Sequence, residues 1–342
     1  MIRDAFQSLS DRIYGLESLL TSNQSRSFWG YLLATAGIAF IVWFIESTRR
    51  AAAGDATVQR SPGAFLKYLF PKQVYAHPSF RLDLKLMLFL HLAVPAGWFL
   101  EGWMLTSVSD YVSDGLDSLF GGAVATQATP SMAAKIGLGV LLFVASDFAR
   151  FFNHFLHHNI PALWQLHTVH HSAEHLNPLT TYRFHPIEMF FENLSVVLFV
   201  GTLAGLVESL LGGNPLTYYG TIYAWAYLRA ANALGTNLRH MHVWWAWNPK
   251  LSHFLISPAQ HQIHHSTDPK HYDKNFGFFF GIWDWMFGTL YVPKEKEVLT
   301  FGLTDGTKHR SLVGALVTPL TRAAGIKPRP RSDEHKAPAS LG

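Results

Sequence analysis

A stretch of 18 residues without a charged side chain, from Phe28 to Ile45, limits the folds that this chain can adopt. A helix that crosses a bilayer needs about 20 apolar residues, so this stretch predicts a transmembrane helix. Further apolar stretches run over residues 86–105, 136–153, 193–207 and 216–228. Only 15% of the chain is charged, whereas soluble proteins carry about 25%. We therefore predict an all-α integral membrane protein, a bundle of about five transmembrane or re-entrant helices.

Lysine and arginine counts predict the orientation of these helices, because cytoplasmic loops retain positive charge. Residues 47–83 contain six Lys or Arg, whereas residues 106–134 contain none and carry three Asp. The first loop is therefore expected inside the cell and the second outside. Following the spans onward places residues 154–188 and the chain after Arg229 on the cytoplasmic side, with the N-terminus outside. Residues 193–228 fit either two tilted spans or a re-entrant pair.

Histidine is the residue type with the most unusual distribution. Of 19 histidines, 15 fall between His154 and His271, in the two regions that the charge pattern places inside the cell. Their spacing is HxxxH at 154–158 and HxxHH at 167–171 and 261–265, with His240 standing apart. Positions i, i+3 and i+4 share one face of a helix, so each motif can aim two or three imidazoles at one point. This spacing indicates a metal site in a cytosolic histidine-rich cap.

The number of candidate ligands indicates two metal ions. Nine histidines have ligand-like spacing, which exceeds the four positions of a structural zinc site. The chain contains no cysteine, so its metals must be held by nitrogen and oxygen. Neutral imidazole suits iron, copper, nickel and zinc. His157 and His175 lie close to stronger candidates and stay ambiguous, whereas His253 and His309 lack helical partners and are not expected to be ligands.

The motifs resemble those of the fatty acid hydroxylase and sterol desaturase superfamily of membrane oxygenases. The resemblance covers residues 147–291 and includes Asn275-Phe276-Gly277 and the run from Trp283 to Thr289 after the last histidine cluster. Within the superfamily, the run from His170 to Arg183 is most similar to the alkylglycerol monooxygenase and bacterial sterol desaturase-like branch. The resemblance implies membrane helices under a cytosolic cap that holds two iron ions.

The resemblance also implies the ligand set, with one position open. Some members have a partner histidine about four residues before the equivalent of His240, where this chain has Thr236 or Asn237. We expect His185 to replace it, with His242 as the second choice. The predicted metal ligands are His154, His158, His167, His170, His171, His185, His240, His261, His264 and His265. Around them we expect supporting polar residues that fix the imidazoles by hydrogen bonds or pair with each other, namely Asp147, Arg150, Asn177, Arg183, Glu188 and Asp284.

The chemistry implied is the use of O₂ to hydroxylate or desaturate a C–H bond of a fatty acyl, sterol-like or other membrane lipid. Electrons are expected from a separate reductase with a ferredoxin or cytochrome, because the chain has no cysteine for a cluster and no Gly-rich dinucleotide motif. Zinc can replace iron during purification, since N-donor sites bind it more tightly. No protein acid, base or nucleophile and no nucleic-acid partner are expected. The alternatives are a pterin-dependent ether-lipid monooxygenase and a non-enzymatic zinc-binding membrane protein.

Three regions follow from this interpretation. Residues 1–83 are expected to form one transmembrane helix and a basic cytoplasmic loop. Residues 84–295 are expected to form a membrane domain of the fatty acid hydroxylase type with the two-metal site. Residues 296–342 are expected to be a polar, basic C-terminal tail.

Overall fold

A computed structural model of the chain describes residues 17–23, 25–93, 96–120 and 130–325. These residues form helices and no β-strand, which confirms the predicted all-α membrane fold. The helices are α1 (Trp29–Ala52), α2 (Pro62–Leu69), α3 (Lys72–Tyr75), α4 (Pro78–Ala93), α5 (Ala96–Phe120), α6 (Met132–Asn159), α7 (Pro161–His171), α8 (Pro186–Leu211), α9 (Pro215–Tyr223), α10 (Pro249–Phe254), α11 (Pro258–His264), α12 (Ile282–Phe287) and α13 (Leu312–Ala323). Short 3₁₀ turns lie at Pro178–Tyr182, Thr236–His240 and Pro269–His271.

Three of these helices are long and apolar enough to cross a membrane: α1, α6 and α8. They contain the predicted stretches 28–45, 136–153 and 193–207. The stretch 86–105 is divided between α4 and α5, and residues 94–95 between them lie outside the described part. The stretch 216–228 lies in α9 and its π-helical continuation, Ala224–Ala231. Whether these last two stretches span the membrane stays a prediction.

Close backbone contacts hold the apolar bundle of α5, α6, α8 and α9 together. A Cβ atom at Gly205 would lie 2.3 Å from the carbonyl oxygen of Ser109, and one at Gly139 would lie 2.7 Å from that of Tyr218. Glycine is therefore required where α8 meets α5 and where α6 meets α9, as is common between membrane helices. The core beside these contacts contains Leu142, Ala149, Val196, Val200 and Ala204.

Helix α1 packs against the segment that carries His240. Its buried residues Ala39 and Val42 contact a core that includes Leu238, Met241 and Val243. The other side of α1 is exposed and apolar, with Trp29, Leu33, Phe40, Ile41 and Phe44. The first predicted transmembrane helix thus supports one of the predicted metal-binding segments.

Prolines and polar caps define where the short helices begin. Pro161 and Pro258 stand in the first turns of α7 and α11, where the missing N–H is not needed. Ser257 and Gln260 form a reciprocal capping box at α11. Both helices that carry an HxxHH motif therefore begin a few residues before their first histidine. Each motif then spans about one to two helical turns.

Residues 296–325 differ from the predicted tail, because they include α13. This helix packs on α7 and α4, where Ala315 joins a core with Leu82, Leu86 and Val169. Burial of this apolar face explains why the segment folds onto the protein. Residues 326–342 lie outside the described residues.

Candidate metal centre

Nine of the ten predicted ligands come together in two buried groups. The five-histidine group contains His154, His158, His167, His171 and His264, and the four-histidine group contains His170, His240, His261 and His265. Within each group the ligand atoms all lie within 4.8 Å of one another. Helices α6, α7 and α11 supply the first group, whereas α7, α11 and the 3₁₀ turn at Thr236–His240 supply the second.

Each HxxHH motif contributes to both groups. His170 and His171 are adjacent in α7, yet His170 belongs to the four-histidine group and His171 to the five-histidine group. His264 and His265 divide in the same way at the end of α11. Successive side chains on a helix point about 100° apart, so a His-His pair can serve two neighbouring centres. The two candidate metal sites therefore share the same pair of helices.

The spacing of the ring nitrogens fits transition-metal ions. In the five-histidine group, Nε2 of His171 lies 3.1 Å from Nε2 of His167 and 3.1 Å from Nε2 of His264. In the other group, Nε2 of His240 lies 2.9 Å from that of His261 and 3.2 Å from that of His265. Metal–nitrogen bonds of about 2.0–2.1 Å place adjacent ligand nitrogens about 3.0–3.4 Å apart. Both groups therefore have the dimensions of a metal coordination sphere.

Backbone carbonyls fix which ring nitrogen faces each centre. His154 Nδ1 donates to the carbonyl of Phe276 at 2.9 Å, and His264 Nδ1 donates to that of Lys274 at 2.9 Å. His170 Nδ1 makes the same kind of bond to the carbonyl of Arg183 at 3.3 Å. A carbonyl can only accept, so these Nδ1 atoms carry the proton and Nε2 presents a lone pair. Converging lone pairs repel each other unless a cation lies between them.

Burial keeps the cap histidines neutral. It lowers the pKa of His170 and of His264 to about 3, with nearby histidines adding to the effect. It also lowers the pKa values of His167, His171, His240, His261 and His265 well below the usual range. Neutral imidazole is the form that binds a metal.

The three predicted supporting carboxylates act in two different ways. Glu188 contacts a candidate ligand directly, because its Oε1 accepts from Nδ1 of His167 at 2.5 Å. Asp147 and Asp284 do not contact the imidazoles. Asp147 accepts from the backbone N–H of Phe279 at 2.8 Å and of Phe280 at 3.1 Å, and Asp284 accepts from that of Phe276 at 2.8 Å and of Gly277 at 2.7 Å. These two acids thus hold the aromatic loop Phe276–Phe280, whose Phe276 carbonyl orients His154.

The expected pairing of Arg150 and Arg183 with these acids is wrong. Arg150 lies 3.4 Å from Glu192, and Arg183 forms a buried ion pair with Asp83 at 2.6 Å. Asn177 donates to the same Asp83 carboxylate at 2.5 Å. The partners lie on α8 and α4, and sequence spacing does not report contacts between separate helices.

Sequence reasoning missed Asp83 as a functional support. The side chain of Arg183 donates to the carbonyl of Val169 at 2.9 Å and to the hydroxyl of Ser172 at 2.8 Å, on both sides of the His170-His171 pair. Its own carbonyl orients His170. Asp83 therefore stabilises the arginine that fixes the end of α7. Asp83 stands between Arg81 and Lys85, just before the apolar stretch 86–105, so nothing in the sequence distinguishes it from a surface charge.

His185 does not join either group, contrary to the expected tenth ligand. Its Nε2 donates to the carbonyl of Leu316 at 3.0 Å, and its Nδ1 caps α8 by accepting from the N–H of Ile187 at 3.2 Å. Both ring nitrogens are therefore occupied by the backbone. The second choice, His242, donates through Nε2 to the carbonyl of Tyr68 at 2.6 Å.

The ambiguous and excluded histidines also lie outside the two groups. His157 donates to the carbonyl of Asn153 at 2.8 Å, and His175 packs on His77 with ring centroids 4.6 Å apart. His253 is exposed. His309 is buried at 5% exposure, which the polar sequence around it did not predict.

A cavity of about 210 Å³ reaches the five-histidine group from the protein surface. Trp164, Tyr272 and Thr304 line it together with His158, His171 and His264. Asp273 also lines it, and its carboxylate lies 3.5 Å from Nδ1 of His158. Small molecules can therefore reach the histidines from this side.

Comparison with known proteins finds a family match for the region that contains the histidine groups. Residues 139–289 match the fatty acid hydroxylase family model. The chain is 29% identical over 164 residues to alkylglycerol monooxygenase from Xenopus tropicalis, which covers 48% of this chain and 32% of that protein. It is 27% identical over 232 residues to ornithine lipid hydroxylase OlsE from Rhizobium tropici, which covers 64% of each protein. The human alkylglycerol monooxygenase is 26% identical over 162 residues, or 47% of this chain and 32% of that protein.

The chain spans less than two thirds of the length of each of these relatives. No solved structure matches it significantly. The matched region begins in α6, ends just after α12 and contains all nine histidines of the two groups. This match, the similarity to the two kinds of relative and the membrane helices support a place for the histidine-rich region in the fatty acid hydroxylase superfamily.

Proposed function

We propose that this protein is an O₂-dependent membrane oxygenase that hydroxylates or desaturates a lipid C–H bond at a centre of two iron ions. The observation that carries this proposal is the pair of histidine groups, in which nine neutral imidazoles face two points. Iron bound there supplies the activation of O₂ and the oxidising power. Two relatives, one named as a monooxygenase and the other as a lipid hydroxylase, support the same class of reaction.

The protein's own residues hold and orient the ligands. Glu188 and the carbonyls of Phe276, Lys274 and Arg183 keep four imidazoles in the Nε2-facing form. Such outer partners determine ligand orientation and basicity. Burial of most of these imidazoles limits their contact with bulk water to the cavity lined by Trp164 and Tyr272.

A membrane lipid is the proposed substrate. His154 and His158 lie at the end of α6, a candidate membrane span, so a molecule moving along that helix from the bilayer arrives at the five-histidine group. The charge pattern predicts that this end lies on the cytoplasmic side, where a separate reductase with a ferredoxin or cytochrome would deliver electrons. The absence of cysteine supports an external donor.

An ether lipid is the second candidate substrate, with a pterin as the reductant. The 29% identity to alkylglycerol monooxygenase over 48% of the chain favours it. The same metal centre serves hydroxylation next to an ether oxygen and hydroxylation of an acyl or headgroup carbon. Analysis of the lipid products therefore has to distinguish the two reactions. A zinc-binding protein without enzymatic activity is the remaining alternative.

The test compares His264→Ala with His253→Ala in membranes that contain the protein. His264 belongs to the five-histidine group, whereas His253 is an exposed histidine outside it. Lipids are analysed by mass spectrometry for added oxygen or lost hydrogen after growth in ¹⁸O₂. We expect His264→Ala to abolish the product and His253→Ala to retain it. Retained activity in His264→Ala, or no oxidised lipid in the parent protein, would contradict the proposal.

A further inference from the structure

Three arginines from separate parts of the chain converge on Phe278. The guanidinium carbons of Arg26 and Arg150 each lie 5.4 Å from the centroid of the Phe278 ring, within the range of a cation–π contact. Arg239 donates to the carbonyl oxygen of the same residue. Phe278 belongs to the aromatic loop, and none of the contacts described above joins it to either histidine group. We call these three side chains the arginine cluster.

Within the arginine cluster, Arg239 has no ion pair among the described residues, whereas Arg26 and Arg150 both lie near the charge of Glu192 and Arg26 also donates to the hydroxyl of Thr181. Arg239 is 7% exposed, its Nε atom has no hydrogen-bond partner, and no carboxylate of the described residues lies within 4 Å of it. Arg150 has Glu192 at 3.4 Å and is close enough to Glu101 for an electrostatic interaction. Asp147 is nearby, but its oxygens accept from the amides of the aromatic loop. Arg239 thus donates to the carbonyls of Phe278 and Ile256 and lies near the charge of Asp147, but it has no ion pair among the described residues, and burying such a charge is costly.

The arginine cluster lies where the membrane helices meet the cap. Arg150 is on α6, a candidate membrane span, and ionisable residues within such helices commonly mark substrate routes. The neighbouring Tyr223, whose ring lies 5.3 Å from Arg150, ends α9 just before the π-helical Ala224–Ala231. Short π-helical segments are frequent at functional sites.

The arginine cluster is also close to both histidine groups. Arg150 precedes His154 by four residues, which is a rise of about 6 Å along the helix. Arg239 immediately precedes His240 of the four-histidine group. The aromatic loop connects the arginine cluster with the five-histidine group, because Phe276 orients His154 while Phe278 contacts the arginines.

We infer that the arginine cluster binds an oxyanion carried by the lipid substrate, either a carboxylate or a phosphate. Guanidinium groups match both anions with two parallel hydrogen bonds. The inference rests on the proposed function for the identity of the substrate. The inference also implies that the oxidised carbon of the lipid lies close to its oxyanion, because the arginine cluster is about one helical turn from His154. An oxidation site in the middle of a long acyl chain is disfavoured on the same ground.

The experiment measures binding to metal-free protein in a neutral detergent, so that it does not depend on catalysis. Dodecanoate, dodecyl phosphate and dodecanol are added at equal mole fractions in the micelle and titrated by calorimetry. We expect one or both anions to bind and dodecanol to bind at least tenfold more weakly. The anion that binds more tightly identifies the source of the oxyanion. Equal binding of dodecanol and both anions would overturn the inference.

Variants connect the binding to the arginine cluster. Arg239→Gln and Arg26→Gln are each expected to weaken anion binding at least tenfold, whereas Lys250→Gln, at an exposed lysine, leaves it unchanged. Arg26 is half-buried, so Arg26→Gln provides the test if Arg239→Gln does not fold. Parent-like anion binding in folded Arg26→Gln and Arg239→Gln would overturn the inference. His264→Ala separates the two proposals, because it removes a metal ligand and is expected to retain anion binding.

Discussion

The carboxylate of Glu188 and the ring of His167 form a buried pair, with Oε1 of the glutamate 2.5 Å from Nδ1 of the histidine. Both side chains are less than 5% exposed. The pair joins the first turn of α8 to the middle of α7, so a membrane helix orients a candidate ligand in the cap. The N–H of His167 points to the acid, and its Nε2 faces the five-histidine group.

Glu188→Gln is expected to weaken metal binding at the five-histidine group about 10- to 100-fold. The amide oxygen can still accept a hydrogen bond from His167. The substitution removes the negative charge that makes the imidazole a stronger metal ligand. Titration of metal-free protein with Co²⁺, followed by its visible absorption, measures the affinity. Glu295→Gln, at an exposed glutamate, is the control. Equal affinities in Glu188→Gln and the parent would show that the acid does not support the site.

The purified protein is expected to contain two transition-metal ions per chain, because the histidines divide into two groups of ligand spacing. Elemental analysis of protein prepared without added metal measures the number. Zinc in place of iron is compatible with this prediction, since nitrogen ligands bind it more tightly than ferrous iron. One ion or none in active protein would contradict it.

Asp83→Asn is expected to destabilise the protein by about 3–5 kcal/mol, because it leaves the buried Arg183 without its counter-charge. Asp83 is fully buried, and Arg183 is 1% exposed. Thermal unfolding in detergent measures the loss, with the exposed Asp114→Asn as the matched control. An unfolding temperature equal to that of the parent would mean that the ion pair contributes little to the fold.

Acid is expected to destabilise the metal-free protein. The pKa of His264 is lowered from its ordinary value near 6.5 to about 3, so the unfolded chain binds a proton that the folded chain excludes. Stability therefore falls as the pH drops below about 6.5 and continues to fall until the pH nears 3. Denaturant unfolding between pH 7.5 and 5 measures this slope, and His264→Ala is expected to reduce it. A slope of zero in the parent would contradict neutral, buried histidines.

Cysteine labelling tests the proposed orientation, and the cysteine-free chain provides a clean background. Ser118 and Val298 are both exposed, and Val298 is 98% exposed. Ser118→Cys, near the end of α5, is expected to react with an impermeant thiol reagent in spheroplasts, because residues 106–134 around it contain no Lys or Arg. Val298→Cys is expected to be protected until the membrane is opened. The reverse pattern would place the histidine cap outside the cell.

Local sequence periodicity determined much of this protein. The apolar stretches predicted α1, α6 and α8, because about 20 apolar residues are enough to specify a membrane helix. The HxxxH and HxxHH spacings predicted eight of the nine histidines that the structure brings together, all but His240, since residues three and four apart share a helix face. These features depend on neighbours within a single helix.

Tertiary packing decided the rest. The adjacent His170 and His171 fall into different groups because the partners that surround them come from α6, α11 and the His240 turn. Asp83 reaches Arg183 across 100 residues of sequence, and Arg26 reaches Phe278 across a longer separation. His185 failed as a ligand because α13 folds back and places the carbonyl of Leu316 against its ring. Spacing along one helix carries no information about which other helix packs beside it, so these contacts exist only in the folded chain.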